Sequence, residues 1–256
     1  MGKIVAVANQ KGGVGKTTTG INLAASLAAD AQRAVMLVDI DPQANATVGS
    51  GVDKESIKKS IYDLLLQNAE IAEVQISSQA GYDLIPANGD LAGAQVELVN
   101  EIGRELRLRM ALEQVRDDYD YILIDCPPAL NILTINALVA ADTVIIPMQC
   151  EYFALEGLTA LVNTIRKIRQ MLNPRLRIEG LLRTMFDGRN TLANEVSEQL
   201  QQHFGDKVYR TIIPRNVRLA EAPSYGKPVL YYDRSSKGAQ AYLELAGEII
   251  RRDEAA

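Results

Sequence analysis

Short runs of apolar and β-branched residues recur along the chain, and segments with helical periodicity separate them. The apolar runs predict strands at 3–9, 34–39, 82–86, 119–125, 142–148 and 177–186. Most of these runs are continuously apolar rather than alternating, which is typical of strands that are covered on both faces. Strands that alternate with helices in this way predict an α/β fold with a doubly wound, mostly parallel sheet flanked by helices.

The same pattern continues along the chain without an internal repeat, a low-complexity tract or a Gly/Ser-rich linker. The last stretch, 238–256, has helical periodicity and ends in charged residues. A chain of 256 residues with 47% hydrophobic content is long enough to bury the core of one α/β domain. We therefore expect residues 1–256 to form a single domain and, because the first strand begins at residue 3, we expect no N-terminal helix-turn-helix domain.

A glycine-rich loop, NQKGGVGKTTT at 9–19, directly follows the first predicted strand. It matches the P-loop pattern G-x-x-x-x-G-K-[ST] except at the first position, where Gln10 replaces the glycine, and it contains an additional cation, Lys11. Between a strand and a helix, the backbone N–H groups of such a loop bind polyphosphate. We therefore expect Lys16 to reach the β- and γ-phosphates of a nucleotide and Thr17 to hold Mg²⁺.

Acidic residues end two of the other predicted strands. Asp39 ends one strand and Asp41 follows two residues later, whereas Asp125 ends another strand immediately before a Cys-Pro-Pro sequence that weakens a helix-capping role. In open α/β sheets, ligands bind beyond the carboxyl ends of the strands. We therefore predict that Asp39 and Asp41 enter the nucleotide crevice and that Asp125 holds Mg²⁺ through its water shell.

The charge of the chain is unevenly distributed. A formal net charge of −5 argues against a protein that binds nucleic acid over its whole surface. However, residues 161–220 contain eleven Lys and Arg against five Asp and Glu, which makes this segment +6 and the remainder −11. Such a basic third is either a nucleic-acid-binding face or a set of solvated helix surfaces, and charge alone leaves both open.

Other classes of protein are disfavoured by residues that are scarce or widely spaced. Cys126 and Cys150 are the only cysteines and His203 is the only histidine, so a zinc or iron–sulfur site within one chain is not expected. His203 is expected near the end of a helix. No apolar run reaches the roughly 18 residues of a membrane-spanning helix, and no leader sequence is evident, so we expect a cytoplasmic protein.

Seven segments of the chain together resemble the deviant Walker A ATPases of the ParA/MinD group, and especially its ParA/Soj chromosome-partitioning branch. In chain order these segments are KGGVGKTTT, DIDPQAN, YDYILIDCPP, LTINAL, QCEYFALEGL, TMFDGRN and VYRTIIPRNVRLAEAPSYGKPV. They extend over nearly the whole chain and occur in the order of the family. Because several independent motifs agree, the resemblance is more specific than the P-loop pattern alone.

The resemblance implies a homodimer in which two chains sandwich two ATP molecules with Mg²⁺ as cofactor. It implies that Lys11 crosses to the nucleotide of the other subunit, that Lys16 and Asp41 share catalysis with it, and that Asp41 orients the attacking water. Asp125 would complete the magnesium shell together with Thr17. The nucleotide contacts implied are Lys11, Gly12, Gly13, Val14, Gly15, Lys16, Thr17 and Thr18 in the loop, with Pro214 and Asn216 beside the adenine.

The resemblance also selects Arg189 and Arg218 from the basic third as residues for non-specific binding of double-stranded DNA. It implies an ATP-dependent switch that associates with the nucleoid in its ATP state, hydrolyses ATP weakly unless a ParB-type centromere-binding protein stimulates it, and drives chromosome or plasmid segregation. Two alternative functions are also compatible with the glycine-rich loop. A MinD-like membrane switch requires an amphipathic C-terminal helix with a basic rim, which the tail lacks, so no membrane partner is expected; the other alternative is a metabolic P-loop ligase or reductase.

Overall fold

The computed structural model describes residues 2–29, 32–67 and 69–255, and the strands within these ranges form one eight-stranded sheet. The strands are β1 Lys3–Val7, β2 Val35–Asp39, β3 Ile76–Ser77, β4 Asp83–Ile85, β5 Tyr121–Asp125, β6 Thr143–Met148, β7 Arg177–Phe186 and β8 Val208–Pro214. Their order is β3-β4-β2-β5-β1-β6-β7-β8, and all neighbours are parallel except β3 and β4. The predicted doubly wound, mostly parallel fold is confirmed.

Helices cover both faces of this sheet. The α-helices are α1 Lys16–Ala29, α2 Asn45–Gly49, α3 Ile61–Leu66, α4 Ile71–Val74, α5 Leu91–Glu97, α6 Arg107–Leu112, α7 Ile132–Ala140, α8 Ala154–Met171, α9 Thr191–Phe204, α10 Val217–Glu221, α11 Val229–Tyr232 and α12 Lys237–Glu254. Short 3-10 helices lie at Lys54–Ser56, Leu98–Asn100, Arg104–Leu106, Arg116–Asp118, Gly205–Lys207 and Ala222–Tyr225. Over the described ranges, no helix combines the length and apolar character that crossing a bilayer requires.

All six predicted strands are present, and they are shorter than predicted by at most two residues at either end. The helix that the Ala- and Leu-rich stretch 17–30 predicts after the glycine-rich loop is present as α1, and its predicted last residue, Asp30, lies outside the described residues. His203 occupies the last turn of α9, as expected, where its Nδ1 lies 2.8 Å from the carbonyl oxygen of Gln199. β3 and β8 were not predicted, because β3 has only two residues and β8 mixes polar residues with apolar ones at the sheet edge.

The core is divided between the two faces of the sheet. Within β1, Ile4 packs into one apolar cluster and Val5 into the other, and Ile122 and Leu123 of β5 alternate in the same way. Burying a side chain of this size contributes roughly 1.5–3 kcal/mol, so the central strands are strongly fixed. Because both faces are occupied by packing, side chains available for chemistry are left mainly at the strand ends.

The register of the central strands brings three of these ends to one level. Val7 of β1 and Asp39 of β2 both pair with Asp125 of β5, which lies between them. The glycine-rich loop that follows Val7 therefore emerges beside the two aspartates. This edge of the sheet is also where β6, β7 and β8 end, because these three strands are parallel to β1, β2 and β5.

Candidate nucleotide site at the carboxyl edge of the sheet

The loop between β1 and α1 has a backbone conformation that requires glycine. Gly13 has φ of 74° and Gly15 has φ of 86°, values that side chains with a Cβ atom rarely adopt. A Cβ on Gly12 or Gly13 would meet no atom within 4 Å, so the loop surface is open there. Alternating positive φ values turn successive N–H groups toward one concavity, which is the form of an anion-binding nest.

Neighbouring strands hold this loop in place. The side-chain amide of Asn9 donates to the carbonyl oxygen of Pro147 at 2.8 Å, and its oxygen accepts from the backbone N–H of Lys11 at 3.0 Å. The hydroxyl of Thr184 on β7 donates to the carbonyl oxygen of Val14 at 2.8 Å. The loop is thus attached to β6 and β7 before any ligand binds, and little ordering is needed on binding.

Lys16, the first residue of α1, is a buried cation without a salt-bridge partner among the described residues. It is 7% exposed, and its Nζ donates to the carbonyl oxygen of Lys11 at 3.1 Å. Burial lowers the pKa of Lys16, while the nearby carboxylates of Asp125 and Asp41 oppose this effect. An anion bound in the loop would compensate the desolvation of this ammonium group, as expected for a phosphate-binding lysine.

Asp39 does not enter the crevice, so that part of the sequence prediction is wrong. Its side chain is fully buried, Oδ1 accepts from the N–H of Asp41 at 3.1 Å, and Oδ2 accepts from the N–H and hydroxyl of Thr47 at 2.8 and 2.7 Å. Burial raises its pKa to about 6 despite these hydrogen bonds. Asp39 therefore fixes the turn after β2 and has no free oxygen for a ligand.

Asp125 differs from Asp39 in the hydrogen bonding of its carboxylate. It is fully buried, and neither carboxylate oxygen has a hydrogen-bond partner within the part of the chain that the structure describes. Burial and the neighbouring Asp39 raise its pKa well above the usual range, although the nearby Thr17 hydroxyl and Lys16 favour the charged form. A buried carboxylate without partners beside a phosphate-binding loop fits a hydrated Mg²⁺ ion, which prefers oxygen ligands and retains several waters.

Asp41 lies close to these groups but retains a free oxygen. It is 8% exposed, its Oδ1 accepts from the N–H of Gln43 at 3.0 Å, and its Oδ2 accepts no hydrogen bond from the residues described. The carboxylate lies near enough to Lys16 to raise the pKa of that lysine. Asp41 is therefore the strand-end acid that is both fixed in position and available to a small polar ligand.

Lys11 is directed away from its own loop. Its Nζ lies 2.5 Å from Oε2 of Glu151, and these side chains are 43% and 51% exposed. The following residues, Tyr152 and Phe153, form an edge-to-face pair with ring centroids 5.0 Å apart, and they are 76% and 66% exposed. Exposed aromatic side chains such as these are enriched at protein interfaces.

The sequence predicted no role for Glu151, nor for Asn9, Thr47 and Thr184, which hold the loop and the turn after β2. Glu151 lies three residues after the end of β6, within the segment QCEYFALEGL. The acids selected from the sequence lie at a strand end or within two residues of one. Glu151 would have been selected had the limit been three residues. Its pairing with Lys11 depends on the adjacency of β1 and β6, which was not predicted.

Pro214 and Asn216 lie at the carboxyl end of β8, on the same edge of the sheet as the loop. The side-chain oxygen of Asn216 caps α10 by accepting from the N–H of Arg218 at 3.0 Å. Its side-chain nitrogen makes no hydrogen bond within the described ranges. The predicted contact with adenine therefore remains compatible with the cap, and it stays a prediction.

The two arginines assigned to DNA are exposed but paired with carboxylates. Arg189 is 91% exposed and contacts Asp187 through two hydrogen bonds of 2.9 and 2.7 Å, which hold the pKa of Asp187 at about 2. Arg218 lies 2.7 Å from Glu221 and 3.3 Å from Asp233. Binding DNA phosphates would require both arginines to exchange these partners.

The structure thus brings the loop, Lys16, Thr17, Asp41 and Asp125 together at the ends of β1, β2 and β5. Thr18 lies in the first turn of α1, where its carbonyl oxygen accepts from Asn22. Among the described residues, no group of three or more His, Cys, Asp or Glu is arranged to hold a metal ion. A metal at this site would therefore be held by few protein atoms, together with phosphate and water.

Residues 2–178 match the family described as AAA domain. The chain is 55% identical to the sporulation initiation inhibitor protein Soj of Bacillus subtilis over 97% of this chain and 98% of that protein. It is 52% identical to the chromosome partitioning protein ParA of Caulobacter vibrioides over 98% and 95% of the two chains. A crystal structure of cobyrinic acid a,c-diamide synthase from Mycobacterium smegmatis with bound ADP and magnesium is 38% identical, with a TM-score of 0.87 over 99% of this chain and 96% of that chain.

Proposed function

Because the chain belongs to the ParA/Soj family of chromosome-partitioning ATPases, we propose that it is a single ATPase domain that acts as an ATP-dependent dimerising switch. It is a cytoplasmic protein that, in its ATP state, binds double-stranded DNA without sequence preference and so associates with the nucleoid. Hydrolysis, stimulated by a ParB-type partner, releases it and so drives segregation. The observation that carries this proposal is the exposed Lys11, whose ammonium lies outside its own phosphate-binding loop beside an exposed aromatic pair.

The nucleotide-binding step is assigned to the loop and its surroundings. The N–H groups of the loop and the ammonium of Lys16 would bind the phosphates, with Pro214 and Asn216 beside the adenine. Thr17 and Asp125 would hold Mg²⁺, a choice that the free oxygens of Asp125 and the ADP and magnesium in the Mycobacterium smegmatis structure support. When bound, Mg²⁺ neutralises charge on the β- and γ-phosphates.

The hydrolytic step is assigned to Asp41 and to Lys11 of the second subunit. The free Oδ2 of Asp41 would accept a hydrogen bond from a water molecule and orient it for attack, while the hydrogen bond to Gln43 keeps the side chain in place. Lys11 from the partner would add positive charge beside the transferred phosphoryl group. Because this cation arrives only on dimerisation, hydrolysis would depend on the dimer.

The contact between Lys11 and Glu151 is expected to oppose dimerisation, because Lys11 must leave Glu151 to reach the nucleotide of the other subunit. A Glu151→Gln variant should dimerise about two- to fivefold more tightly with a slowly hydrolysed ATP analogue, as expected for loss of an exposed ion pair. Sedimentation velocity at several protein concentrations measures this constant. Glu156→Gln, an exposed glutamate on α8, is the matched control. A dimer of unchanged affinity in Glu151→Gln would show that the pair does not restrain Lys11.

Charge reversal of either predicted DNA contact should abolish DNA retention without affecting the dimer. We expect Arg189→Glu or Arg218→Glu to lose binding to duplexes of any sequence, because such arginines contact phosphates rather than bases. Retention on immobilised random duplex, measured from low to moderate salt, tests this, and Lys54→Glu outside the basic third is the control. An arginine whose reversal also prevents ATP-induced dimerisation would be assigned a structural role instead.

The structure disfavours the membrane-switch alternative. The apolar side of α12 is used for packing, since Ile249 is buried in the core, and Arg252 contacts Glu248 and stacks on Tyr209 with its guanidinium 4.4 Å from the ring centroid. As far as the structure describes it, to residue 255, the tail therefore offers no separate apolar face with a basic rim. The metabolic alternative keeps some support from the Mycobacterium smegmatis synthase, but the higher identity to Soj and ParA favours partitioning.

A further inference from the structure

Two open cavities lie at the end of the sheet opposite to the nucleotide site, with volumes of about 620 and 1510 Å³. They share Lys3, Thr143, Arg177 and Asp253 in their lining. Lys3, Thr143 and Arg177 are the first residues of β1, β6 and β7, three adjacent parallel strands, and Thr143 pairs directly with Arg177. Nothing in the proposed ATPase cycle uses this end of the molecule.

The acidic residues of the smaller cavity are already neutralised. Asp142 accepts from the guanidinium of Arg116 at 2.6 Å and from the N–H of Ile4 at 2.9 Å. Asp253 accepts from Lys3 and, at 2.8 Å, from the hydroxyl of Tyr121. These two acids therefore have little capacity left to balance other cations nearby.

Three further arginines line the same cavity: Arg169 on α8, Arg175 in the following loop and Arg177 on β7. The one partner of the Arg175 side chain over 2–29, 32–67 and 69–255 is a distant carboxylate, that of Glu113 at 3.9 Å. The side chains of Arg169 and Arg177 make no hydrogen bond or ion pair with any residue that the structure describes, although the backbone N–H of Arg177 donates to the carbonyl oxygen of Asp142 at 3.0 Å. Five cations against two acids give this lining a net charge of +3, which Glu179 beside Lys3 and Glu113 beside Arg116, both outside this lining, partly offset.

Thr143 supplies an independent observation at the same place. Its side chain is 2% exposed, and its hydroxyl oxygen has no hydrogen-bond partner among the described residues although it borders both cavities. A buried hydroxyl normally has a partner, so its absence points to a ligand or a water at this position. A hydroxyl beside several guanidinium groups matches the oxygen atoms of a phosphate group, which accept hydrogen bonds from both.

We propose that this cluster, Thr143 with Arg169, Arg175 and Arg177, binds a compact phosphate anion. Inorganic phosphate, pyrophosphate and the terminal phosphates of a nucleotide share the required chemistry: two or more negative charges on a small group of acceptor oxygens. Such a ligand would relieve the repulsion among the arginines and pair the Thr143 hydroxyl. The site is separate from the loop that follows β1, so the proposal does not depend on the proposed ATPase cycle.

Calorimetric titration with pyrophosphate, without Mg²⁺ and at constant ionic strength, tests the site. The titration is made in a Lys16→Ala background so that the loop contributes little. We expect binding that Arg169→Gln/Arg177→Gln weakens at least tenfold and that Thr143→Val weakens about two- to tenfold, the effect of one lost hydrogen bond. Arg166→Gln, on the same helix as Arg169 but outside both linings, should bind like the background protein.

Folding and ligand identity are separated within the same experiment. Arg169 and Arg177 are exposed and belong to an excess of positive charge, so their replacement should not lower the melting temperature, which circular dichroism verifies. Repeating the titration with inorganic phosphate and with ADP distinguishes a free small anion from a nucleotide as the preferred ligand. The proposal is overturned if none of the three anions binds in the Lys16→Ala background, or if the double arginine variant binds them as tightly as Arg166→Gln does.

Discussion

An Asp125→Asn variant should bind nucleotide in the presence of Mg²⁺ about 10- to 100-fold more weakly, the range found when a partner that supports a metal's ligands is lost. At the same time its nucleotide-free form should be more stable than the original protein. Both effects have one cause: Asp125 is fully buried without a hydrogen-bond partner among the described residues and lies beside Asp39. The negative charge that a cation requires destabilises the protein when no cation is bound.

The gain in stability should depend on pH. Because burial and Asp39 raise the pKa of Asp125 in the folded protein above its usual value of 3.8, folding is favoured while the group is protonated. That stabilisation is complete below about pH 4 and is lost as pH rises through the folded pKa, by at most about 1.4 kcal/mol per pH unit. Asparagine does not ionise, so the Asp125→Asn variant does not lose stability in this way. Its free energy of unfolding should exceed that of the original protein by little near pH 4 and by more toward neutral pH.

Urea denaturation of both proteins between pH 4 and 7.5, together with binding of a fluorescent ATP analogue with and without Mg²⁺, measures the two effects. The control is Asp118→Asn, which replaces an exposed aspartate far along the chain from the loop. It should change neither the free energy of unfolding nor the affinity for nucleotide. Equal loss of nucleotide affinity with and without Mg²⁺ would argue against a metal-supporting role. A nucleotide-free variant less stable than the original would show that Asp125 has an undetected partner.

An Asp41→Ala variant is expected to bind ATP and dimerise normally but to hydrolyse ATP about 10²- to 10⁴-fold more slowly under stimulation, the usual contribution of a positioned acid–base group. The structure supports this separation, because Asp41 retains a free Oδ2 near Lys16 whereas Asp39 uses both oxygens within the protein. Phosphate release measures turnover, and sedimentation with ATP measures the dimer. Unchanged turnover would remove Asp41 from catalysis.

Asp41→Asn separates chemistry from structure in the same assay. Asparagine keeps a side-chain oxygen that can accept from the N–H of Gln43, so the turn after β2 should be preserved. It nevertheless lacks the carboxylate that would orient and polarise water. If Asp41→Asn restores turnover lost in Asp41→Ala, the residue supports the turn and does not act on water.

The sequence was sufficient to predict those structural features that a single physical rule determines. Continuous apolar runs located six strands, because strands covered on both faces have no polar alternation to confuse the pattern. The glycines of the loop identified a conformation that the structure confirms at Gly13 and Gly15, since few other residues tolerate those φ values. The strand-end rule likewise selected Asp41 and Asp125, which the structure places near Lys16, and their roles stay predictions.

The sequence was insufficient to predict side-chain pairings that depend on contacts between distant parts of the chain. Asp39 and Asp41 are equivalent as strand-end acids, and only the hydrogen bonds from Thr47 show that Asp39 is fully used within the protein. The pairing of Lys11 with Glu151 joins residues 140 positions apart and depends on β1 lying beside β6. Charge alone also did not divide the arginines of the basic third, whereas the structure pairs the Arg189 side chain with Asp187 and gives the Arg177 side chain no partner among the described residues.

The central claim, a nucleotide-gated DNA switch, is tested most directly by fluorescence anisotropy of a labelled random-sequence duplex titrated with this protein. Mg²⁺ with a slowly hydrolysed ATP analogue is compared with Mg²⁺ and ADP, at several salt concentrations. We expect tight, strongly salt-dependent binding only with the ATP analogue, because each phosphate contact adds to the salt dependence and the dimer doubles the contacts. Absence of DNA binding in both states, with dimerisation confirmed, would contradict the account.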